Sequence, residues 1–279
     1  MRRYVVADVF TDVPLEGNPV AVFADGQGLS TERMQRTARE LNLSETVFLL
    51  PGEDGADACV RIFTPMVEMP FAGHPVLGTA FVLGERLGAE TVRLKTGAGI
   101  VSVALRRRDG AVVFGEMEQP LPTWELFDRP DELLAAIGAP GSTLPIEVYD
   151  NGPRHVLVAC DDEAAVIGLR PDLGALEKVG QVGVSCFAIA DGYVKARLFG
   201  PGLGVAEDPA TGSAAGPLAV HLARHGRTAY GDRIEIHQGA EIGRPSILHA
   251  CAEGSAERLQ RVTVGGGAVI VAQGEYRLD

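Results

Sequence analysis

The chain is short of positive charge. Its 25 lysines and arginines face 37 aspartates and glutamates, a net charge of −12 across 279 residues. That balance excludes a nucleic-acid binder, which needs a basic face to neutralise phosphates. A small anionic substrate is still admissible, because a few local donors hold a carboxylate against the overall field. Cysteine is scarce as well. Cys59, Cys160, Cys186 and Cys251 are scattered, without C-x-x-C or His/Cys ligand spacing, and read as reduced structural thiols. No apolar run is long enough for a membrane span, and "MRRYVVADVF" reaches Asp8 too soon for a signal peptide, so a cytoplasmic protein free of the membrane is expected. There is no Walker loop, no glycine fingerprint between a strand and a helix, and no H-E-x-x-H, so no cofactor and no metal are expected.

What the sequence does contain is a globular composition, 46% hydrophobic and 22% charged, long enough for one large or two medium domains. It also contains an internal repeat. "RIFTPMVEMPFAGH" (61–74) aligns with "RLFGPGLGVAEDPATGS" (197–213) if the second loop is three residues longer. Both read Arg, apolar, Phe, x, Pro, a loop, then Glu, x, Pro, x, x, Gly and a polar residue. "LKTGAGI" (94–100) parallels "IHQGAEI" (236–242), and "GNPVAVF" (17–23) is echoed by "NGPRHVLVA" (151–159). The common order points to duplication, and two copies mean paired domains.

Each half reads as short strands around one dominant helix. A surface helix is expected over Thr31–Leu41, with Ser30 as N-cap and an apolar stripe of Met34, Ala38 and Leu41. The helix after His74 is apolar nearly all round and therefore buried. Its counterpart, Ser213–His225, ends at Gly226, a C′ cap. The expected fold is α+β: two similar domains, each an antiparallel β-barrel-like sheet around a central helix. The first covers 1–118 with a return of 268–279, the second 119–267, and the joint lies near "MEQPLPTW" (117–124).

A helix start leaves amide donors without intrahelical acceptors and carries partial positive charge. Pro75 suits the first helical position, which puts His74 at the cap and Gly73 just outside. Gly212 and Ser213 hold the matching places. Facing halves would bring both mouths to one cleft, a natural carboxylate site. The repeat breaks its symmetry at three points. Asp208 stands where the first half has Met69, and His74 where the second has Ser213. In "NLSETVF" (42–48), Glu45 has Cys186 as its approximate counterpart. Alone, His74 reads as a cap or core residue, Asp208 as a turn residue and Glu45 as a solvated strand start. At one cleft they read as a group, with Glu45 a general base whose pKa burial raises.

The sequence resembles the phenazine-biosynthesis PhzF family, a branch of the diaminopimelate-epimerase-like superfamily. "PLEGNPVAVF", "NLSETVF", "RIFTP", "PFAGHP", "NGPRHV", "DPATGSAAGPLAVHLARHG" and "EIGRPS" carry the likeness over essentially the whole length. The resemblance implies two barrel-like domains, each around a helix, the active site between them, and a homodimer. It implies a cofactor-free isomerase acting on a small anionic cyclohexadiene amino acid. Position by position, Glu45 resembles the catalytic acid/base, His74, Asp208 and Ser213 its other polar site residues, and Gly73 and Gly212 the backbone donors. An epimerase of the same fold is the first rival, but that chemistry places a cysteine at each helix mouth, where this chain has Gly73–His74 and Gly212–Ser213. A non-catalytic binding protein is the second, and Glu45, His74 and Asp208 together argue against it.

Overall fold

The computed structural model describes residues 1–278. It divides into two compact units, residues 1–118 with 264–278, and residues 119–263. The return to the first unit begins earlier than residue 268 because one continuous strand, Leu259–Gly266, spans the division.

The first unit holds strands β1 (Arg2–Val9), β2 (Asn18–Phe23), β3 (Glu45–Pro51), β4 (Ala58–Phe63), β5 (Glu68–Met69), β6 (Thr91–Thr96), β7 (Gly99–Arg108) and β8 (Ala111–Glu118), with helices α1 (Thr31–Leu41) and α2 (Gly73–Leu87). The second holds β9 (Thr123–Leu126), α3 (Pro130–Ile137), β10 (Glu147–Asp150), β11 (Arg154–Ala159), α4 (Glu163–Gly168), α5 (Leu173–Glu177), β12 (Gly183–Ile189), β13 (Val194–Gly200), β14 (Val205–Asp208), α6 (Gly212–Arg224), β15 (Arg233–Gln238) and β16 (Ser246–Gly254). The spanning strand is β17. The last strand, β18 (Ala268–Tyr276), pairs antiparallel with β1 in the first unit, Arg2 opposite Tyr276.

The sheets are mixed, which corrects the antiparallel expectation. In the first unit β2 and β3 are parallel, as are β4 and β6, while β1–β2, β1–β18, β3–β4, β4–β5, β6–β7 and β7–β8 are antiparallel. The second unit repeats this, with β11–β12 and β13–β15 parallel and β9–β10, β10–β11, β12–β13, β13–β14 and β15–β16 antiparallel. The cause is the connection. Helices cross over between each parallel pair (α1 and α2 in one unit, α4–α5 and α6 in the other), and a crossover returns the chain in the same direction.

The shared Arg and Glu of the repeat do the same job twice. Arg61 donates through Nε and Nη2 to the two oxygens of Glu68, at 2.7 and 2.6 Å. Arg197 grips Glu207 the same way, at 2.8 and 2.9 Å. Each fork closes the hairpin (β4–β5, β13–β14) that delivers the chain to a helix mouth. Planar bidentate pairing fixes geometry better than a single ion pair.

The helices meet their sequence signals. Ser30 accepts from the Arg33 amide and caps α1, and Asn42 ends it in the left-handed region. Met34 and Ala38 pack on Phe23, Phe48 and Phe63, with Leu41 at the margin. α2 is buried along most of its length against β1, β2, β3, β6, β7, β8 and β18. Gly78 makes this approach possible, since a Cβ there would stand 2.7 Å from Val20 Cγ1 and 2.8 Å from Val9 Cγ2. α6 is buried from Gly212 to Ala223. Gly226 (φ 66°) then turns the chain, its amide bonded to the Ala223 carbonyl.

Candidate active site

In the first unit, β3 opens on Glu45, directly opposite Val20 of the parallel strand β2. From there the carboxylate reaches the mouth of α2. Glu45 Oε2 lies 3.2 Å from His74 Nε2, with the two side chains 15% and 4% exposed. The contact is within ion-pair range but outside hydrogen-bond alignment. A hydrogen bond also joins His74 to the Pro19 backbone, and since proline has no amide hydrogen the acceptor is its carbonyl. Burial lowers the His74 pKa to about 3, with the Pro19 bond working against it. The ring is therefore neutral near pH 7, its Nδ1–H committed to Pro19 and an Nε2 lone pair turned toward Glu45.

The cap positions differ from the sequence expectation. Ala72 is the N-cap of α2, with Gly73, His74 and Pro75 the first three helical residues. Proline is tolerated anywhere in the first turn, where no intrahelical acceptor exists for its amide. In α6 the N-cap is Thr211, so Gly212 and Ser213 match Gly73 and His74.

In the second unit, Asp208 ends β14 opposite Leu198. Met69 lies opposite Ile62 at the same point of the first unit, so the ladders place Asp208 where Met69 was aligned. Asp208 is 8% exposed, and its Oδ2 accepts from Thr211 Oγ1 at 2.5 Å. Gln238 Nε2 donates to the Asp208 carbonyl at 2.8 Å and to Thr211 Oγ1 at 3.0 Å. The mouth of α6 is tied down as firmly. Gln119 Nε2 donates to the Gly212 carbonyl at 2.8 Å, Asn151 Nδ2 to the Ser213 carbonyl at 3.0 Å, and His155 Nε2 stands 3.0 Å from Ser213 Oγ.

One counterpart is corrected. The ladders set Arg61 opposite Phe48 and Arg197 opposite Cys186. With the two arginines equivalent, Cys186 matches Phe48, and Glu45, three residues earlier, matches Gly183. Cys186 is a buried free thiol whose pKa is raised by burial, inert core rather than site.

Of the residues singled out in the sequence, Glu45 and His74 meet in the first unit, and Asp208, Gly212 and Ser213 lie around one helix start in the second. Sequence reasoning misses Gln119, Asn151, His155, Thr211 and Gln238. Asn151 and His155 stand inside "NGPRHV", read only as an echo of the first half.

Another concentration of titratable groups gathers round the end of α6. Glu147 Oε2 lies 3.1 Å from His221 Nδ1 and 3.2 Å from His225 Nε2, a cluster with metal-ligand spacing. Arg224 Nη1, however, sits 2.6 Å from the same oxygen. A guanidinium there repels a cation, so the group reads as an ion-pair network. Burial raises the Glu147 pKa, but bonds from Arg224, His225 and Tyr149 outweigh it and hold the carboxyl at about 2. Burial, with His225 beside it, lowers His221 to about 4.

The comparisons with known proteins agree on one family. A family model described as phenazine biosynthesis-like protein matches residues 7–274. The chain is 56% identical over 278 residues to the trans-2,3-dihydro-3-hydroxyanthranilate isomerase of Pseudomonas aeruginosa, covering 100% of both. It is 51% identical over 274 residues to the protein of the same name from Pseudomonas fluorescens, covering 98% of this chain and 99% of that one. A PhzF-family phenazine biosynthesis protein of Bacillus anthracis has the same architecture, with a TM-score of 0.85 at 26% identity over 99% of each chain. A probable proline racemase of Agrobacterium radiobacter, 16% identical with a TM-score of 0.72 over 100% and 94% of the chains, shares the fold. Full-length agreement in sequence and architecture thus makes this chain a member of the PhzC-PhzF family of phenazine biosynthesis-like proteins.

Proposed function

We propose that the protein isomerises trans-2,3-dihydro-3-hydroxyanthranilate. The observation that carries the reading is the Glu45–His74 pair, a nearly dry carboxyl 3.2 Å from a neutral imidazole. Such a pair suits removal of a weakly acidic carbon proton and its return elsewhere on the same molecule. The substrate is the one named for relatives that are 51–56% identical over nearly their whole length.

In this reading Glu45 takes the proton from C3, which is acidified by conjugation through the diene. The same carboxyl returns a proton at C1, and the resulting enol tautomerises to an aminoketone. Two such ketones condense toward the tricyclic phenazine skeleton. His74 and Asp208 hold the amine and hydroxyl, and the amides of Gly73, Gly212 and Ser213 bind the carboxylate. The reaction moves a proton and a double bond with no net oxidation, so the side chains suffice without metal or cofactor. The homodimer implied by the resemblance and the cytoplasmic setting expected from the sequence are part of the same proposal. The described residues include no helix long and apolar enough to cross a membrane.

An epimerase using two thiols is the rival. Three of the four cysteines lie in strands β4, β12 and β16 and the fourth directly follows β11, and the helix mouths carry His74 and Ser213 instead. The test is incubation with the named substrate, following loss of diene absorbance and appearance of tricyclic product. Turnover supports the reading; an inert substrate with a properly folded protein overturns it.

A further inference from the structure

His155 has no role in the scheme above, yet it is built into the second half-site. It is 2% exposed, and its Nε2 lies 3.0 Å from the hydroxyl of Ser213, itself 6% exposed. The other ring nitrogen, Nδ1, is buried with no hydrogen-bond partner among the described residues. It faces Gly183, where a Cβ would stand only 2.7 Å from it.

The ladders explain this vacancy. His155 lies opposite Gly183 in the parallel pair β11–β12, as Val20 lies opposite Glu45 in β2–β3. Where the first unit sends a carboxylate from one strand to its helix mouth, the second has removed that side chain and sends an imidazole from the neighbouring strand. The two copies of the scaffold thus supply different partners: carboxyl to imidazole at His74, imidazole to hydroxyl at Ser213.

The orphaned nitrogen settles the direction of the bond. Were Nε2 the acceptor, a neutral ring would carry its proton on Nδ1, leaving a buried N–H with nothing to bond. Unsatisfied buried donors are rarer and costlier than an unused lone pair. The ring therefore carries its proton on Nε2 and donates to Ser213 Oγ. Burial, which lowers the His155 pKa to about 4 despite nearby Asp150, keeps the ring neutral. Once its oxygen has accepted that bond, the Ser213 hydroxyl has its own proton left to give.

We propose that His155 is a positioning residue that fixes the Ser213 hydroxyl as a donor to the substrate carboxylate, making this helix mouth selective for an anion. The proposal rests on the reading that Ser213 faces the substrate, and its test separates the two ideas.

Asparagine and glutamine substitutions at His155 provide the test, because a glutamine amide can replace the Nε2 donor whereas an asparagine amide is too short to reach it. His155→Asn is expected to raise KM about fivefold with kcat within twofold, the scale of one oriented hydrogen bond. His155→Gln should restore KM to near the parent value. Ser213→Ala should raise KM about as much as His155→Asn, and the double variant no further, since both remove one interaction. If Ser213→Ala leaves KM unchanged, the placement of Ser213 at the substrate is wrong. If Ser213→Ala raises KM but His155→Asn does not, the positioning proposal alone fails. It fails equally if the Asn and Gln variants lose kcat and thermal stability to the same extent, the mark of a merely structural residue.

Discussion

Pro217 has no amide hydrogen, so the Ser213 carbonyl four residues earlier lacks its helical partner, and Asn151 Nδ2 takes that carbonyl at 3.0 Å. A proline inside α6 thus couples the helix mouth to the loop before β11. The same Asn151 nitrogen lies 3.3 Å from Gln119 Oε1, and Gln119 holds the Gly212 carbonyl. Gly216 gives Gln119 its space, since a Cβ there would collide with Gln119 Oε1.

Asn151→Leu should accordingly destabilise the protein by about 1–3 kcal/mol, the cost of leaving a buried polar group without its partner. Adding Pro217→Ala supplies an amide for the Ser213 carbonyl and should recover part of that loss. Urea unfolding of the single and double variants measures both. A Pro217→Ala change that worsens the Asn151→Leu variant contradicts the account.

Much of this site was legible in the sequence because the repeat put equal residues at equal places. Arg61 and Arg197, Glu68 and Glu207, Gly73 and Gly212 could be paired on paper, and differences such as Met69 against Asp208 stood out. What stayed hidden depends on register and distance. Glu45 was matched to Cys186 by strand likeness, whereas counting along the ladder from the arginines leads to Gly183. His155 meets Ser213 across 58 residues of chain, and nothing local marks a histidine in a buried strand as a partner. The parallel pairs were missed because strand patterning reports faces and not direction, while the crossover helices that impose direction act through topology.

Acid should destabilise the fold, and the sign follows from the shifted groups. His221 and His155 titrate near 4 when folded, below the ordinary 6.5, so the unfolded chain takes up their protons first. Their contribution is complete above about pH 6.5 and is lost as pH falls through about 4. Glu147, held at about 2 against an ordinary 4.5, adds a further loss between those values. Each histidine is worth on the order of 1–3 kcal/mol. Thermal unfolding from pH 7.5 down to 4.5 should show a falling Tm, shallower in His221→Gln. A flat profile over that range contradicts it.

Activity should be indifferent to metal removal. Moving a proton from C3 to C1 of one molecule needs a base and an acid, and Glu45 is proposed to serve as both in turn. Among the described residues the one cluster with metal-ligand spacing already holds Arg224 on its carboxylate. Exhaustive dialysis against a chelator should leave turnover unchanged. Loss of activity that a single added metal restores would overturn the cofactor-free mechanism.

Glu45 itself gives the sharpest test. The substrate proton is on carbon, so its removal needs a base within about 3 Å of it, and Glu45, 3.2 Å from His74 in the first unit, is the carboxyl proposed for that task. Glu45→Gln keeps the size of the side chain and much of its polarity but accepts no proton near pH 7. It should lower kcat by about 10²–10⁴, the usual contribution of a positioned acid/base, with little change in KM, since the contacts proposed for the substrate carboxylate are to backbone amides and not to Glu45. Glu45→Asp keeps the base but withdraws it by one methylene, on the order of 1 Å, and should cost about 10²-fold in kcat. His74→Gln should harm binding and turnover together, since that ring both faces Glu45 and is proposed to hold the substrate amine or hydroxyl. Should a folded Glu45→Gln protein turn over near the parent rate, the proton is moved by another group, and Asp208, 8% exposed and bonded to Thr211, becomes the base to test next.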